Sequence, residues 1–453
     1  MSSTTNDTSL TDFPLDIFGQ IPALKSYTNI SSIYSVPDAS TKSSIVDTLT
    51  HGLERLAASF PWVAGRVVVE DSAEDNTGVC KIKPFEKTPR FVVKDYRDDA
   101  STLSMNSLRD ARFPLGMLDE SILAPISTLP AETEFLDGRP VFMVQATFIA
   151  GGLILTFSGE HRSMDITGQN QIIHLLSKAC ANDPFSPDEL SVGNMPRSNI
   201  IPLLNDPDSH LPTSQPPHPP ASEPSPPIPN ATWACINFPS SSLTSLKSLA
   251  NESLLTPYIS TDDALSAFIW QSVLRARLPR LAPSTSSTLL RAIDLRPFLD
   301  ISPLYPGVLM TVTPSTAPLR QLTTHHQPLG HTASSLRESI HPSNLAATAL
   351  AFATHLHRTP DKSRVPFAPN LNPSANLMFS SWSKIGLYGL DFHLGLGAPE
   401  AVRRPRLFPV EGLVYAMPRD REGGIAVQVC LRDEDLLRLW GDGGVGQYAM
   451  YIG

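Results

Sequence analysis

Cysteine is scarce: four residues in 453, at Cys80, Cys180, Cys235 and Cys430. They lie far apart and form no C-x-x-C pair, which argues against a zinc ribbon or a disulfide framework and suits a reducing compartment. Basic residues are outnumbered, with 35 Lys and Arg against 44 Asp and Glu and a formal net charge of −9. A basic footprint for nucleic acid is missing, although a few local arginines can still hold a small anion. The most membrane-like stretch, residues 141–157 (VFMVQATFIAGGLILTF), is short for a span and is interrupted by Gln145 and the Gly151-Gly152 pair. The pattern predicts a β-hairpin turning at the glycines and no membrane partner. The N-terminal MSSTTNDTSLTDFPLD is polar and slightly acidic, unlike a signal peptide, and the C-terminal QYAMYIG carries no readable address. The expected location is the cytoplasm. No G-x-S-x-G occurs, so a serine hydrolase elbow is missing, and no H-E-x-x-H supplies a zinc site.

Proline, by contrast, is abundant at 43 residues. About half of residues 211–229 (LPTSQPPHPPASEPSPPIP) is proline. Such a run forms no packed core and is expected to be an extended, exposed linker. It divides the chain into a first domain at 1–205, a linker at 206–230 and a second domain at 231–453. The length and the hydrophobic share of 41% support a soluble chain with more than one core.

Both halves mix helix and strand signals. Ile45, Leu49, Leu53 and Leu56 share one face of a helix expected over residues 43–59, followed by a turn at Pro61 and a strand. Residues 169–181 read as a helix with Ile172, Ile173 and Leu176 inward. In the second half, WACINFP is a strand. Residues 260–277 (STDDALSAFIWQSVLRAR) are a helix capped by Ser260 or Thr261, with acids early and arginines late. EGLVYAM and GIAVQVCL are strands joined by a turn, and DEDLLRLW is a last short helix. The class is α/β, with no internal repeat.

The chemistry centres on GEHRSMDITGQ, where His161 precedes Asp165 by four positions at the end of the apolar hairpin. H-x-x-x-D alone is weak, since roughly one match is expected by chance. The chain holds two, and the second, His357 in HLHRTPDKSRVP, reads as an exposed loop. His161 instead sits where a buried strand ends and a helix begins, a place where rigid elements can hold a reactive group beside a cleft. As a metal ligand it would need partners beyond Glu160 and Asp165. As a plain buried histidine it would need only a hydrogen bond. From the pentapeptide alone, the plain structural histidine is the favoured reading.

Its surroundings narrow the choice. FPWVAGR, HRSMDITGQ, STDDALSAFIWQSVLRAR, AIDLRP and SSWSKIGLYGLDFHLGLGAPEAVRRP follow one another as blocks do in the BAHD-type acyl-CoA-dependent acyltransferases. The chain resembles that family, above all its fungal trichothecene 3-O-acetyltransferase-like branch. The DFGWG block departs from the pattern: it reads Asp391-Phe392-His393-Leu394-Gly395 here. Ile166 stands where many members have Gly, and Val308 stands where plant members often carry Asn.

The resemblance implies two chloramphenicol-acetyltransferase-like domains, mixed sheets flanked by helices, with an active-site channel between them. It implies His161 as general base, the Ser380 hydroxyl as donor to the acyl oxygen and Trp382 as a wall of the site. It assigns Asp165 and Arg296 to a buried ion pair that holds the histidine loop, and Asp391 and Gly395 to architecture. Ser260, Thr261 and Arg403 are candidate contacts for acyl-CoA, expected as acetyl-CoA; no metal is expected. The expected partner is a small-molecule alcohol, the expected state a monomer, and the reaction O-acylation of a secondary metabolite. An N-acyltransferase, a carrier-protein-dependent condensation-like enzyme and a binding protein on the same fold are the alternatives.

Overall fold

A computed structural model describes residues 13–99, 103–205, 230–324, 327–369, 372–441 and 444–453. The proline-rich run at 211–229 and the first twelve residues lie outside the described residues.

The first half is built on a five-stranded sheet in the order Ala401–Arg403, Tyr27–Ser35, Gly152–Glu160, Phe142–Ile149 and Arg90–Asp95. The expected hairpin is its centre: Phe142–Ile149 and Gly152–Glu160 pair antiparallel, turning through Gly151 at φ 74°. Every residue of both strands is buried. That explains the near-continuous apolar run, because a strand covered on both faces has no polar side to alternate with. Helices Lys42–Ser59 and Ile166–Cys180 pack together, with Ile45, Leu49, Leu53, Leu56, Ile172, Ile173 and Leu176 all in one core. They approach closely at Gly52, where a Cβ would stand 2.4 Å from the Cys180 Sγ. The second of these helices begins at Ile166, earlier than the apolar spacing placed it, because Asp165 caps it.

A seven-stranded sheet carries the second half, in the order Met310–Pro318, Ser286–Asp294, Leu377–Ser381, Leu413–Ala416, Ile425–Arg432, Ala231–Phe238 and Met450–Tyr451. Helix Thr261–Arg277 lies buried against it, its Trp270 indole donating to the Ser287 hydroxyl at 2.9 Å. His357 falls in the last turn of helix Pro342–Arg358, exposed on the helix and not in the loop expected from HLHRTPD. Its polar neighbours mark a solvated helix end.

The halves interlock. Ala401–Arg403 pairs with Tyr27–Ser35, so the second half supplies an edge strand to the first sheet. Phe392 stacks on Phe157 with ring centroids 5.5 Å apart. A division at the proline run follows the chain, but the backbone from about residue 392 onward crosses to the other core before returning.

Candidate active site

His161 follows the last residue of strand Gly152–Glu160, and its N–H donates to the Ser26 carbonyl at 2.9 Å. The side chain is partly exposed, while its Nδ1 is buried and has no hydrogen-bond partner among the described residues. The turn after it is tightly tied. Glu160, fully buried, accepts the Arg162 Nε at 2.8 Å and the Ser163 N–H at 3.0 Å. The Ser163 hydroxyl donates back to the Glu160 carbonyl at 2.7 Å. Burial opposes the Arg162 charge, but Glu160 outweighs it and raises the guanidinium above its usual pKa.

Asp165 turns away from the histidine. Its Oδ1 accepts the Gly168 N–H at 2.8 Å, capping the helix, and its Oδ2 accepts the Leu309 N–H at 2.8 Å. Both oxygens also take the Arg296 fork, Nη1 to Oδ2 and Nη2 to Oδ1, each at 3.0 Å. Arg296 spends its remaining donors on the Tyr305 carbonyl (3.0 Å), the Gly307 carbonyl (2.8 Å) and Asp294 (2.8 Å). All five N–H groups of the guanidinium are thus satisfied. Burial opposes its charge, yet Asp165 and Asp294 prevail and hold its pKa above the ordinary arginine value. Glu160 and Asp165, the two carboxylates flanking His161 in sequence, are both committed to guanidinium groups. Neither is therefore free to join His161 on a metal. Among the described residues, no group of three or more His, Cys, Asp or Glu side chains converges as a metal site would require.

From the second half, strand Leu377–Ser381 ends at the SSW block. The Ser380 hydroxyl accepts the Trp382 indole N–H at 3.0 Å, which leaves its own hydrogen free to donate elsewhere. No hydrogen bond joins it to His161 among the described residues. Trp382 is 3% exposed and packs on Tyr415 at 5.1 Å between ring centroids, so it serves the core whatever else it does. Ser381 donates to Asp262, tying this strand to the start of helix Thr261–Arg277. Ser260 caps that helix in a box with Asp263: Ser260 Oγ accepts the Asp263 N–H at 3.1 Å, and Asp263 Oδ2 accepts the Ser260 N–H at 2.8 Å. Thr261, its first residue, is partly exposed.

The DFHLG loop alternates. Phe392 and Leu394 are buried in the first core, while Asp391, His393 and Gly395 face outward. Asp391 accepts the His393 N–H at 2.8 Å. His393 has φ 53° and Gly395 φ 71°, so this chain carries an L-residue in a conformation glycine adopts freely. Arg403 is 7% exposed, donates to the Phe113 and Val402 carbonyls, and lines a cleft of ≈ 190 Å³ with Arg109, Arg112, Tyr388 and Met450. Neither His161, Ser380 nor Trp382 lines that cleft.

Sequence reasoning missed three further buried polar residues beside the histidine loop: Asp16, Arg197 and Tyr305. Arg197 Nη1 donates to the Ser163 carbonyl at 2.5 Å, and its guanidinium lies 4.2 Å from the Trp62 ring centroid. These residues are far apart in sequence and form no spaced motif, so only their burial reveals them.

Comparison with known proteins decides the family. A model described as "Transferase family" matches residues 105–441, and one described as "Trichothecene 3-O-acetyltransferase-like N-terminal domain" matches residues 26–180. The chain belongs to the transferase family. The transferase is 47% identical to an O-acetyltransferase of Cryptosporiopsis sp. over 98% of each chain. It is 45% identical, over 98% of its length and 100% of the other chain, to the crystallised trichothecene 3-O-acetyltransferase of Fusarium sporotrichioides, solved with coenzyme A and T-2, at a TM-score of 0.89. The F. graminearum counterpart, complexed with coenzyme A and deoxynivalenol, aligns at 42% identity and a TM-score of 0.92 over 98% and 100% of the two chains. The transferase therefore has the two-domain fold of these enzymes and is itself an acyltransferase.

Proposed function

We propose that the protein is an acyl-CoA-dependent O-acyltransferase that moves an acetyl group onto a hydroxyl of a secondary metabolite. The observation that carries this reading is its similarity, along the whole chain, to O-acetyltransferases, two of them solved with coenzyme A. An intact HRSMD loop lies within the matched region.

The chemistry follows from the groups present. An alcohol is a poor nucleophile at neutral pH, and a neutral imidazole can take its proton as attack begins. His161 is that base. The alkoxide oxygen adds to the thioester carbon, whose carbonyl oxygen gains negative charge. The Ser380 O–H stabilises that charge, its oxygen already accepting the Trp382 N–H. Removing one such donor typically lowers turnover by about 10²–10³-fold. As the C–S bond breaks, the imidazolium returns its proton to the thiolate. One group serves both steps, with no acyl-enzyme.

The acceptor and coenzyme A approach His161 along a channel between the halves. Thr261 and Arg403 are the favoured coenzyme A contacts, since the Ser260 hydroxyl is occupied by its cap. A monomer in the cytoplasm completes the reading; gel filtration and cell fractionation test those two points. The decisive assay incubates the protein with acetyl-CoA and a panel of hydroxylated terpenoids, polyketides and alkaloids that includes deoxynivalenol. Acylated alcohol and free coenzyme A should appear together, and His161→Ala should abolish both. Full turnover by His161→Ala eliminates the base assignment, and exclusive acylation of amines in competition favours N-acyl transfer.

A further inference from the structure

The HRSMD loop is gripped from two sides. On one side stands the motif pair, Asp165 with Arg296. On the other stands Asp16, which belongs to none of the blocks above. It lies between strand Phe13–Pro14 and the short 3-10 helix Phe18–Gln20, fully buried. Its Oδ1 accepts the Gly19 N–H at 2.8 Å. Its Oδ2 accepts the Tyr305 hydroxyl at 2.9 Å and the Val308 N–H at 2.8 Å.

Asp16 and Asp165 therefore accept the N–H groups of neighbouring residues, Val308 and Leu309. The carbonyls of the same turn, Tyr305 and Gly307, accept Arg296. Two carboxylates and one guanidinium hold four backbone groups of the 305–309 turn. The histidine loop presses against what they fix. A Cβ on Gly168 would stand 2.1 Å from the Pro306 carbonyl oxygen, and one on Gly19 would stand 2.4 Å from the Arg162 carbonyl oxygen. The loop is thus wedged between turn 16–20 and turn 305–309, and Asp16 bonds to both.

A carboxylate in this position is costly, since it has left water entirely. Burial pushes its pKa up, and the charge of Arg197 works against that push. Arg197 in turn holds the Ser163 carbonyl within the loop. Glu160–Arg162 and Asp165–Arg296 are ion pairs, and Asp16 and Arg197 add a further acid and base beside the histidine loop, all nearly excluded from solvent. Such a set favours one geometry over near alternatives more than it adds stability.

We propose that Asp16 is a positioning residue for His161, locking together the two turns that enclose the histidine loop. It touches no reacting atom and acts through the loop. Since a small misplacement of a reacting group can lower a rate by about 10²-fold, loss of this lock should appear in turnover before it appears in binding.

The test compares Asp16→Asn, Tyr305→Phe and His161→Ala in the full chain. Asp16→Asn keeps the shape but turns an amide N–H₂ toward the Gly19 N–H or toward the Val308 N–H. Tyr305→Phe removes one donor to Asp16 and leaves the other two. Each variant is measured by thermal unfolding, by calorimetric coenzyme A binding to count competent molecules, and by kcat and KM with acetyl-CoA and the panel alcohol that turns over fastest. Asp16→Asn should lower kcat per competent molecule by about tenfold or more, and Tyr305→Phe by less, with KM values moving under about threefold. Wild-type kcat per competent molecule in Asp16→Asn overturns the proposal, because the residue then only supports folding. If Asp16→Asn does not fold, Tyr305→Phe decides: a lowered kcat with KM unmoved supports the lock, and wild-type kcat overturns it. The proposal rests on His161 as the base, and the controls keep the two apart. An active His161→Ala defeats the base; an inactive His161→Ala beside a fully active Asp16→Asn defeats only the positioning role.

Discussion

Asp165→Asn tests the claim that this aspartate holds the histidine loop and takes no part in the chemistry. The substitution keeps the volume and removes one acceptor oxygen and the charge. In one amide orientation the N–H₂ faces the Leu309 N–H and Arg296 Nη1; in the other it faces the Gly168 N–H and Arg296 Nη2. Either way a buried backbone N–H loses its partner, at a cost of about 1–3 kcal/mol. Arg296, 1% exposed, also loses its buried counter-charge. Asp294 still accepts from it at 2.8 Å, but its side chain is 37% exposed and solvent screens it. Breaking a buried pair costs roughly 3–5 kcal/mol, and that is the expected total here. Against a typical stability of about 5–15 kcal/mol, this is a large fraction. Thermal unfolding should therefore show a midpoint several degrees lower and a reduced yield of folded protein, with kcat falling because His161 is displaced. The comparison variant Asp294→Asn, at a partly exposed side chain that keeps one acceptor oxygen for Arg296, should cost no more than about 1 kcal/mol. A variant with wild-type unfolding and lost turnover would refute the reasoning, since it would make Asp165 a participant in the reaction.

Three other outcomes follow from the same structure. His393→Gly relieves an L-residue held at φ 53° on an exposed loop and should raise stability by about 0.5–1 kcal/mol without altering kcat; a lowered melting temperature contradicts it. Gly168→Ala drives a methyl into the Pro306 carbonyl, which is backbone and cannot swing aside. It should cost about 1–3 kcal/mol and reduce kcat, read by unfolding and steady-state kinetics. Asp263 is buried, which pushes its carboxyl up, but Arg291 and the Ser260 N–H outweigh burial and hold its pKa below the ordinary value. A lowered folded pKa means its contribution is present above the unfolded value, about 3.9, and is lost as pH falls through the lowered one. Urea unfolding at pH 7 and near pH 3 should thus show a stability difference between wild type and Asp263→Asn that shrinks at the acid end; a constant difference contradicts it.

Much of this protein could be read from local pattern. The hairpin at 142–160 showed itself by its apolar run and paired glycines, and the helix at 261–277 by its cap and charge order. Helix Lys42–Ser59 showed itself by four apolar residues on one face. His161, Asp165 and Arg296 were found through the ordered blocks that carry them, and the ion pair between the last two is present as expected. These signals are legible because they depend on residues within one or two turns of each other, or on blocks whose order survives without coordinates.

Other features exist only in three dimensions. Strands Ser286–Asp294 and Met310–Pro318, and helices Leu329–Glu338 and Pro342–Arg358, gave too weak a local signal to be placed. The strand exchange at Ala401–Arg403 joins residues some 370 positions apart, beyond any periodicity. Asp16 meets Tyr305 and Val308 across separations of 289 and 292 residues. The order of the sequence blocks pointed to the family and to the chemistry its resemblance implies, because block order survives without coordinates. Tertiary packing alone decided how the histidine loop is held, because a buried hydrogen bond is chosen by proximity in space, and a linear sequence does not contain that distance.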